Sequence, residues 1–402
     1  MKVHLIGIGG VSMSPLALVL RTYGHSVTGS DRDDSAVVRN LRAKGIPVTI
    51  GHFPENVHGA ERVIRTAAAH DDNPEVAEAR RLGIPIAERA EAWGEIMREY
   101  PNTICVAGTH GKTTTTGMLA AIFTAAGRDP TVMIGGSLPI FNGENYRLGK
   151  GGDFILEADE YSNSFRFFKP SIAVILNVEY DHPDFFPDFE SYQKAFADFA
   201  AQSGTVFSNV ELGTSAKPIE RLSFELALPG EYNQANANAA YAVARYCGID
   251  DAVIREALRT FTGAKRRFEH KGWLNGARIV EDYAHHPGEL SAVLKAAREL
   301  APKRLIIAFQ PHTYSRTAAL LGDFAEALSA ADSALLVEIY AARESNTFNV
   351  SANDIAKLIP GAEFYADLPE TAERLRTIAR EGDLILIAGA GNITDLCGLL
   401  CE

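Results

Sequence analysis

Thr103-Ile104-Cys105-Val106-Ala107-Gly108-Thr109-His110-Gly111-Lys112-Thr113-Thr114-Thr115-Thr116 passes from a β-branched run, through small and hydroxylated residues, into Met118-Leu119-Ala120-Ala121-Ile122-Phe123. That order predicts a strand, a tight loop and a helix, the scaffold of a phosphate cradle. Backbone N–H groups of such a loop and the positive end of its helix face anionic phosphates. Gly108, Thr109, His110, Gly111, Lys112, Thr113 and Thr114 are therefore the expected ATP-binding stretch, with Lys112 as a point charge on the terminal phosphates and Thr113 as a magnesium ligand. The spacing is incomplete, because the first glycine of the usual pattern falls on Val106. A bare Gly-Lys-Thr turn is common by chance, but here strand, lysine, hydroxyl and helix follow in order.

Downstream, Asp153-Phe154-Ile155-Leu156-Glu157-Ala158-Asp159-Glu160 and Ala173-Val174-Ile175-Leu176-Asn177-Val178-Glu179-Tyr180-Asp181-His182 are apolar runs ending in ligand-type side chains. Parallel strands would place both ends on the ligand side, so Glu157 and His182 are expected to join Thr113 on one cation. Lys194, soon after His182, has an unsuitable offset for bridging metals and reads as surface. The stretch from Gly204 to Pro229 has strand-like pieces without recognisable chemistry. Pro229-Gly230-Glu231-Tyr232-Asn233-Gln234-Ala235-Asn236 opens a helix whose amides, Asn233 and Asn236, suit either an adenine edge or a helix cap.

Upstream, Val3 to Ile8 reads as a strand entering Gly7-Ile8-Gly9-Gly10-Val11-Ser12 and a helix from Met13. This is the first turn of a dinucleotide-type fold, with Ser12 in place of the third glycine. A second strand ends in Ser30-Asp31, where a ribose or base would be read. Gly7, Gly9, Gly10, Ser12, Ser30 and Asp31 are the residues expected to line this site, for a UDP-sugar or a dinucleotide. Alone, this half suits a nicotinamide dehydrogenase about as well. Short strands near Pro47–Ile50, Arg62–Thr66 and Ile84–Ile86 continue a parallel α/β pattern, broken at Tyr100-Pro101-Asn102.

In the last third, Lys265-Arg266-Arg267-Phe268-Glu269 precedes three strands. The first runs from Arg278 through Asp282-Tyr283 into Ala284-His285-His286-Pro287. The second runs from Leu305 through Phe309-Gln310 into Pro311-His312-Thr313-Tyr314-Ser315-Arg316. The third ends in Gly389-Ala390-Gly391. Histidine and arginine at successive strand ends exceed what a structural edge requires.

The chain has 402 residues, too many for one core and enough for three domains, here placed at 1–100, 101–262 and 263–402. A net charge of −12 argues against nucleic acid, whose phosphates demand a basic surface. No apolar run reaches the length of a membrane span, and Met1 to Gly7 leads straight into a turn, so a cytoplasmic protein is expected. Cys105, Cys247, Cys397 and Cys401 lack zinc-type spacing and read as reduced thiols.

Taken in order, the glycine turn, Gly108 to Thr115, Glu157 to Glu160, Asn177 to His182, Gly230 to Asn236, Arg266 to Glu269, Asp282 to Pro287, Phe309 to His312 with Arg316, and Gly389 to Gly391 resemble the marks of the Mur ligases. The resemblance implies three α/β domains: an N-terminal Rossmann-like parallel sheet for the UDP-sugar, a central P-loop domain for ATP, and a C-terminal Rossmann-like domain for the amino acid. It implies a ligase that uses ATP and Mg²⁺ to join L-alanine to the carboxylate of UDP-N-acetylmuramate through an acyl phosphate, as a monomer or homodimer. By family position Asn233 and Asn236 would meet the adenine, Arg267 and Asp282 the γ-phosphate and ribose, and His285, His312 and Arg316 the amino acid, with Lys112 among the catalytic residues. Four positions depart from the pattern: Ser12 for glycine, Tyr232 for histidine, an abbreviated 204–229 stretch, and Thr313 where many relatives carry a second arginine. A recycling ligase that adds a tripeptide, folylpolyglutamate synthase and a non-catalytic UDP-sugar-binding protein are the competing readings.

Overall fold

The computed structural model describes residues 1–183, 185–342 and 344–401. Its strands form three sheets. The first contains β1 (Lys2–Ile6), β2 (Ser26–Asp31), β3 (Val48–Ile50), β4 (Arg62–Arg65) and β5 (Ile86–Glu88), all parallel in the order β3-β2-β1-β4-β5. The chain reverses its direction of winding beside β1, and the glycine turn leaves β1 at that switch point, where open α/β sheets bind ligands. The expected strand at Ile84–Ile86 forms two residues later, because Gly83 and Ile84 are used to close the preceding helix Pro74–Arg81.

The second sheet contains β6 (Asn102–Ala107), β7 (Thr131–Met133), β8 (Tyr146–Arg147), β9 (Asp153–Glu157), β10 (Ile172–Ile175) and β11 (Thr205–Ser208), in the order β11-β10-β6-β9-β7-β8. All pairs are parallel except β7 with β8. β6 lies between β10 and β9, so the phosphate-loop turn again leaves a switch point. Beyond β11, the 209–229 stretch is mostly irregular, with one bridge pairing Phe207 and Lys217.

The third sheet contains β12 (Glu269–Leu274), β13 (Ala277–Asp282), β14 (Leu305–Phe309), β15 (Ser333–Val337), β16 (Glu363–Tyr365) and β17 (Leu384–Ala388), in the order β12-β13-β17-β14-β15-β16. Only β12 is antiparallel. The central strands β14 and β17 are apolar at every position because both faces are covered. Leu305, Ile307, Phe309 and Leu386 enter one core cluster, whereas Ile306, Ala308, Ile385 and Ile387 enter another, as a period of two requires.

The chain divides into two compact units. One comprises Met1–Gly108, Ile122–Val178 and Gln193–Ile219, and so holds the first two sheets. The other comprises Thr109–Ala121, Glu179–Tyr192 and the chain from Glu220 on. Among the described residues no helix is long and apolar enough to cross a membrane.

Candidate active site

In the first unit, the turn after β1 is held by its own sheet. The N–H groups of Gly7 and Ile8 donate to Ser30 O at 2.9 and 3.0 Å, and Gly9 N–H donates to Asp31 Oδ2 at 2.8 Å. A Cβ on Gly9 would stand 2.9 Å from that carboxylate oxygen, so the latch requires glycine. Gly10 N–H closes the turn onto Gly7 O, and the helix Met13–Thr22 follows. Ser12 has its own task, since its Oγ accepts the Trp93 indole N–H at 3.0 Å. The Ser30 hydroxyl is fully buried and donates to Glu75 at 2.6 Å. Asp31 turns inward as well, because its carboxylate is committed to the Gly9 and Asp33 N–H groups.

The same unit presents Glu157 at the carboxyl end of β9, where Oε2 accepts Gly135 N–H at 2.7 Å. A side chain at Gly135 would strike this carboxylate. Gly108, at the end of β6, has φ of 144° and packs against Leu176 and Asn177 too closely for a Cβ.

In the second unit, Thr109 locks the phosphate loop. Its Oγ1 donates to Glu179 O at 2.9 Å, accepts Glu179 N–H at 2.8 Å and lies 3.0 Å from the Tyr192 hydroxyl. Gly111, with φ of 83°, gives its carbonyl to Thr115 N–H as the helix Lys112–Ala125 begins. Lys112 Nζ reaches Thr109 O at 3.2 Å, while Thr113 and Thr114 lie buried in the first turn. His110 stands between carboxylates, with Nε2 3.2 Å from Glu179 and Nδ1 3.4 Å from Glu289. Burial alone would lower its pKa, but hydrogen bonds to these carboxylates raise it to about 9. The loop therefore carries two cations at neutral pH, of which only Lys112 was expected to be charged.

Asn233 and Asn236 sit on the helix Glu231–Tyr246, both nearly fully buried. Asn233 donates to Pro229 O at 2.6 Å, and Asn236 Oδ1 accepts from Thr115 Oγ1 at 3.3 Å. Asn233 thus ties the first turn of its helix back to Pro229 without capping it, and Asn236 braces the helix that leaves the phosphate loop. Tyr232, the departure from histidine, packs over Gly230.

The strand ends of the third sheet gather the remaining expected residues. Asp282 accepts Phe268 N–H at 2.8 Å and Ala284 N–H at 2.7 Å, and burial pushes its pKa up to about 6. Arg267 lies over the Tyr283 ring and 3.8 Å from Glu289. Arg266, by contrast, is structural: it pairs with Glu281 at 2.7 Å and holds Gly389 O at 2.6 Å. The His285 and His312 ring centroids are 5.8 Å apart. Burial lowers both imidazoles, to about 3 and about 4, so each is neutral. Their tautomers differ. His285 Nδ1 faces Tyr283 O at 2.9 Å and Glu289 at 3.3 Å, so it must carry the proton and leave Nε2 its lone pair. His312 Nδ1 faces an Arg316 N–H at 3.4 Å, so its lone pair is turned to the guanidinium.

Arg316 is paired within the chain. Only 5% exposed, it grips Asp181 through Nε at 3.0 Å and Nη2 at 3.2 Å, which holds the buried Asp181 carboxyl well below its usual range. Its charge is matched by Asp181 in this structure. Asp181 also lies beside His182, whose Nε2 is 3.8 Å away. His182 has φ of 58° and its own N–H bonds to Asp181 Oδ1. Glu179, Asp181 and Glu289 are the organising carboxylates, and motif spacing gave none of them a role of its own. For Glu289 a signal existed, because it is the third residue into a helix capped by His286 and lies four after His285. Lys194 is exposed and paired with Asp198 at 2.7 Å, as a surface residue should be.

Residues 2–101 match the Mur ligase family catalytic domain, 106–210 the Mur ligase middle domain and 266–391 the Mur ligase glutamate ligase domain. The chain belongs to the Mur ligase family. It is 41% identical to a UDP-N-acetylmuramate--L-alanine ligase of Caldanaerobacter subterraneus subsp. tengcongensis, over 98% of this chain and 96% of that protein. The enzyme of the same name from Acetivibrio thermocellus is 39% identical over 97% and 93%. The structure of the UDP-N-acetylmuramate-alanine ligase of Thermotoga maritima superposes with a TM-score of 0.82 at 30% identity, covering 99% of this chain and 97% of that one. A murein peptide ligase of Psychrobacter arcticus shares the fold, with a TM-score of 0.73 at 24% identity. The first alignment runs over 442 positions against 402 residues here, so that relative carries stretches this chain lacks.

Proposed function

We propose that this chain is an ATP-dependent ligase that joins L-alanine to the carboxylate of UDP-N-acetylmuramate, the reaction named for its full-length relatives. The observation that carries this reading is the loop Thr109–Thr113, locked at Thr109 and bearing both Lys112 and a charged His110, within a chain that aligns end to end with those ligases. A carboxylate is a poor electrophile until one oxygen leaves as phosphate, so ATP first phosphorylates the muramoyl carboxylate, releasing ADP. The alanine amine then attacks the acyl phosphate, inorganic phosphate leaves, and an amide forms.

Residues 1–100 would take the UDP-sugar, with the N–H edge of the Gly7 to Ser12 turn and the start of helix Met13–Thr22 facing the diphosphate. Residues 101–262 would take ATP on Gly108 to Thr114, and residues 263–402 would take the amino acid. Thr113, Glu157 and His182 offer a hydroxyl, a carboxylate and an imidazole, a donor set that fits Mg²⁺ through its oxygens. When bound, that ion neutralises phosphate charge. Arg267 supplies a further cation. His285 takes the ammonium proton on Nε2, because Tyr283 O and Glu289 fix the proton of Nδ1, and an incoming anion raises its basicity. Arg316 acts by positioning, holding Asp181 and the lone pair of His312. The enzyme works in the cytoplasm on peptidoglycan precursors.

The test is phosphate release from ATP with UDP-N-acetylmuramate, with and without L-alanine. Release that requires both, with amide product, is expected. Faster joining of a γ-linked tripeptide would move the chain to the recycling reaction. His285→Ala should lower kcat by on the order of a hundredfold, His312→Ala by less, and the reverse order would exchange their roles.

A further inference from the structure

The phosphate loop meets the turn before helix Pro287–Glu299 at His110. His110 Nε2 and Glu179 Oε2 are 3.2 Å apart, and one donor atom from each of His110, Glu179 and His286 falls within 4.8 Å of the others. The space among them is kept open by a missing side chain. A Cβ on Gly288 would lie 2.8 Å from Glu179 Oε2, 3.5 Å from His110 Nε2 and 3.6 Å from His286 Nδ1. His286 is 8% exposed; its Nδ1 accepts the Gly288 N–H at 3.3 Å, and its buried Nε2 has no hydrogen-bond partner among the described residues. A buried imidazole nitrogen left without a partner is costly unless something else satisfies the ring.

We propose that His110, Glu179 and His286 form a site for a divalent transition metal of the Zn²⁺ class, centred above Gly288, which clamps the phosphate loop when occupied. Bonds of about 2.0–2.2 Å to a tetrahedral ion put its ligands roughly 3.3–3.6 Å apart, so the His110–Glu179 edge is already near size and a small rotation of His286 completes the face. Two imidazoles favour this class of ion over Mg²⁺, which selects oxygen. Glu289 beside His110 Nδ1 is the outer carboxylate that orients a metal-bound histidine. Two carboxylates around one loop histidine attract a cation here, and the ion takes the place of the proton shared by His110 and Glu179. Three protein donors leave a fourth position for water or an anion. The donor set is separate from Thr113, Glu157 and His182.

The decisive measurement is binding of Zn²⁺ to the nucleotide-free full chain by titration calorimetry, with Co²⁺ as a visible-absorption probe. One tight equivalent is expected, with no thiolate band from the four cysteines. His286→Ala and Gly288→Ala should each weaken it at least tenfold, and Glu289→Gln by on the order of tenfold. Gly288→Ala keeps every ligand while filling the centre, so it decides the matter even if His286→Ala fails to fold. His182→Ala should retain the ion. No Zn²⁺ binding, equal binding by Gly288→Ala, or loss only in His182→Ala would each overturn the proposal. These readouts need no substrate, so they stand apart from the ligase reading. The clamp itself rests on that reading: Zn²⁺ far below the Mg²⁺ concentration should inhibit phosphate release in the wild type and much less in Gly288→Ala. Equal inhibition of both would overturn the clamp.

Discussion

After β1 the chain turns through Gly7–Ser12 into the helix Met13–Thr22, and after β6 it turns through Gly108–Gly111 into the helix Lys112–Ala125. Both turns leave a parallel strand at a switch point, yet they are stabilised differently. The first is latched by the next strand of its own sheet, through Ser30 O and the Asp31 carboxylate, and contains no cation. The second is locked by Glu179 and Tyr192, 70 and 83 residues from Thr109, and its charged His110 answers to Glu179 and Glu289. A diphosphate that only binds needs N–H groups and a helix end. A phosphoryl group that moves needs positive charge where the transition state gathers negative charge. On the proposed ligase reading, the first turn would hold and the second would react.

Replacing the reacting cation should produce the largest effect. Lys112→Ala should reduce turnover by about a hundredfold to a thousandfold with UDP-sugar binding intact, as read by steady-state kinetics and a UDP-N-acetylmuramate titration. Near-normal turnover would show that the two turns do not differ in this way.

The holding turn should respond in binding alone. Gly9→Ala drives a Cβ to 2.9 Å from Asp31 Oδ2, which must move and release the Gly9 N–H. The expected result is a KM for UDP-N-acetylmuramate raised about tenfold, the scale of one lost charge-assisted hydrogen bond, with the KM for ATP unchanged. A matching rise for ATP would mean that the first turn is not confined to the sugar.

The contrast also explains what could be read from sequence. Both turns, the strands feeding them and the parallel pattern were legible because they depend on local spacing: glycines at fixed offsets, apolar runs and a following helix. The apolar strands Leu305–Phe309 and Leu384–Ala388 were equally plain, since both faces are buried. The antiparallel edge β12, with Gly272 and Trp273 beside a register shift, offers no such run and went unread. The partners of side chains were least legible. Ser30 turning to Glu75, Asn236 to Thr115 and Arg316 to Asp181 are contacts over 45, 121 and 135 residues, which residue type and spacing do not encode. Charge states followed the same rule: His110 and His285 are similarly buried and share Glu289, but His110 also bonds Glu179 whereas His285 lies near the Arg316 guanidinium.

The smallest expected effect is a pH dependence of stability that belongs to the reacting turn alone. In the folded chain the His110 pKa rises from its ordinary 6.5 to about 9, because Glu179 and Glu289 outweigh its burial. A group that binds its proton more tightly folded than unfolded contributes its full stabilisation below the unfolded pKa and loses it as pH climbs through the folded one. The contribution should therefore be complete below about pH 6.5 and fade between there and about 9. Each tenfold gain in proton affinity is worth about 1.4 kcal/mol, and with Glu179 half exposed to solvent the total should be on the order of 1–2 kcal/mol. Urea unfolding with a chelator present should thus show the wild type losing more stability over that window than His110→Gln. Since the turn after β1 contains no imidazole, Gly9→Ala should leave the slope of the wild type untouched. A slope that disappears in Gly9→Ala, or persists unchanged in His110→Gln, would place the titrating group elsewhere and remove the electrostatic half of the contrast between the two turns.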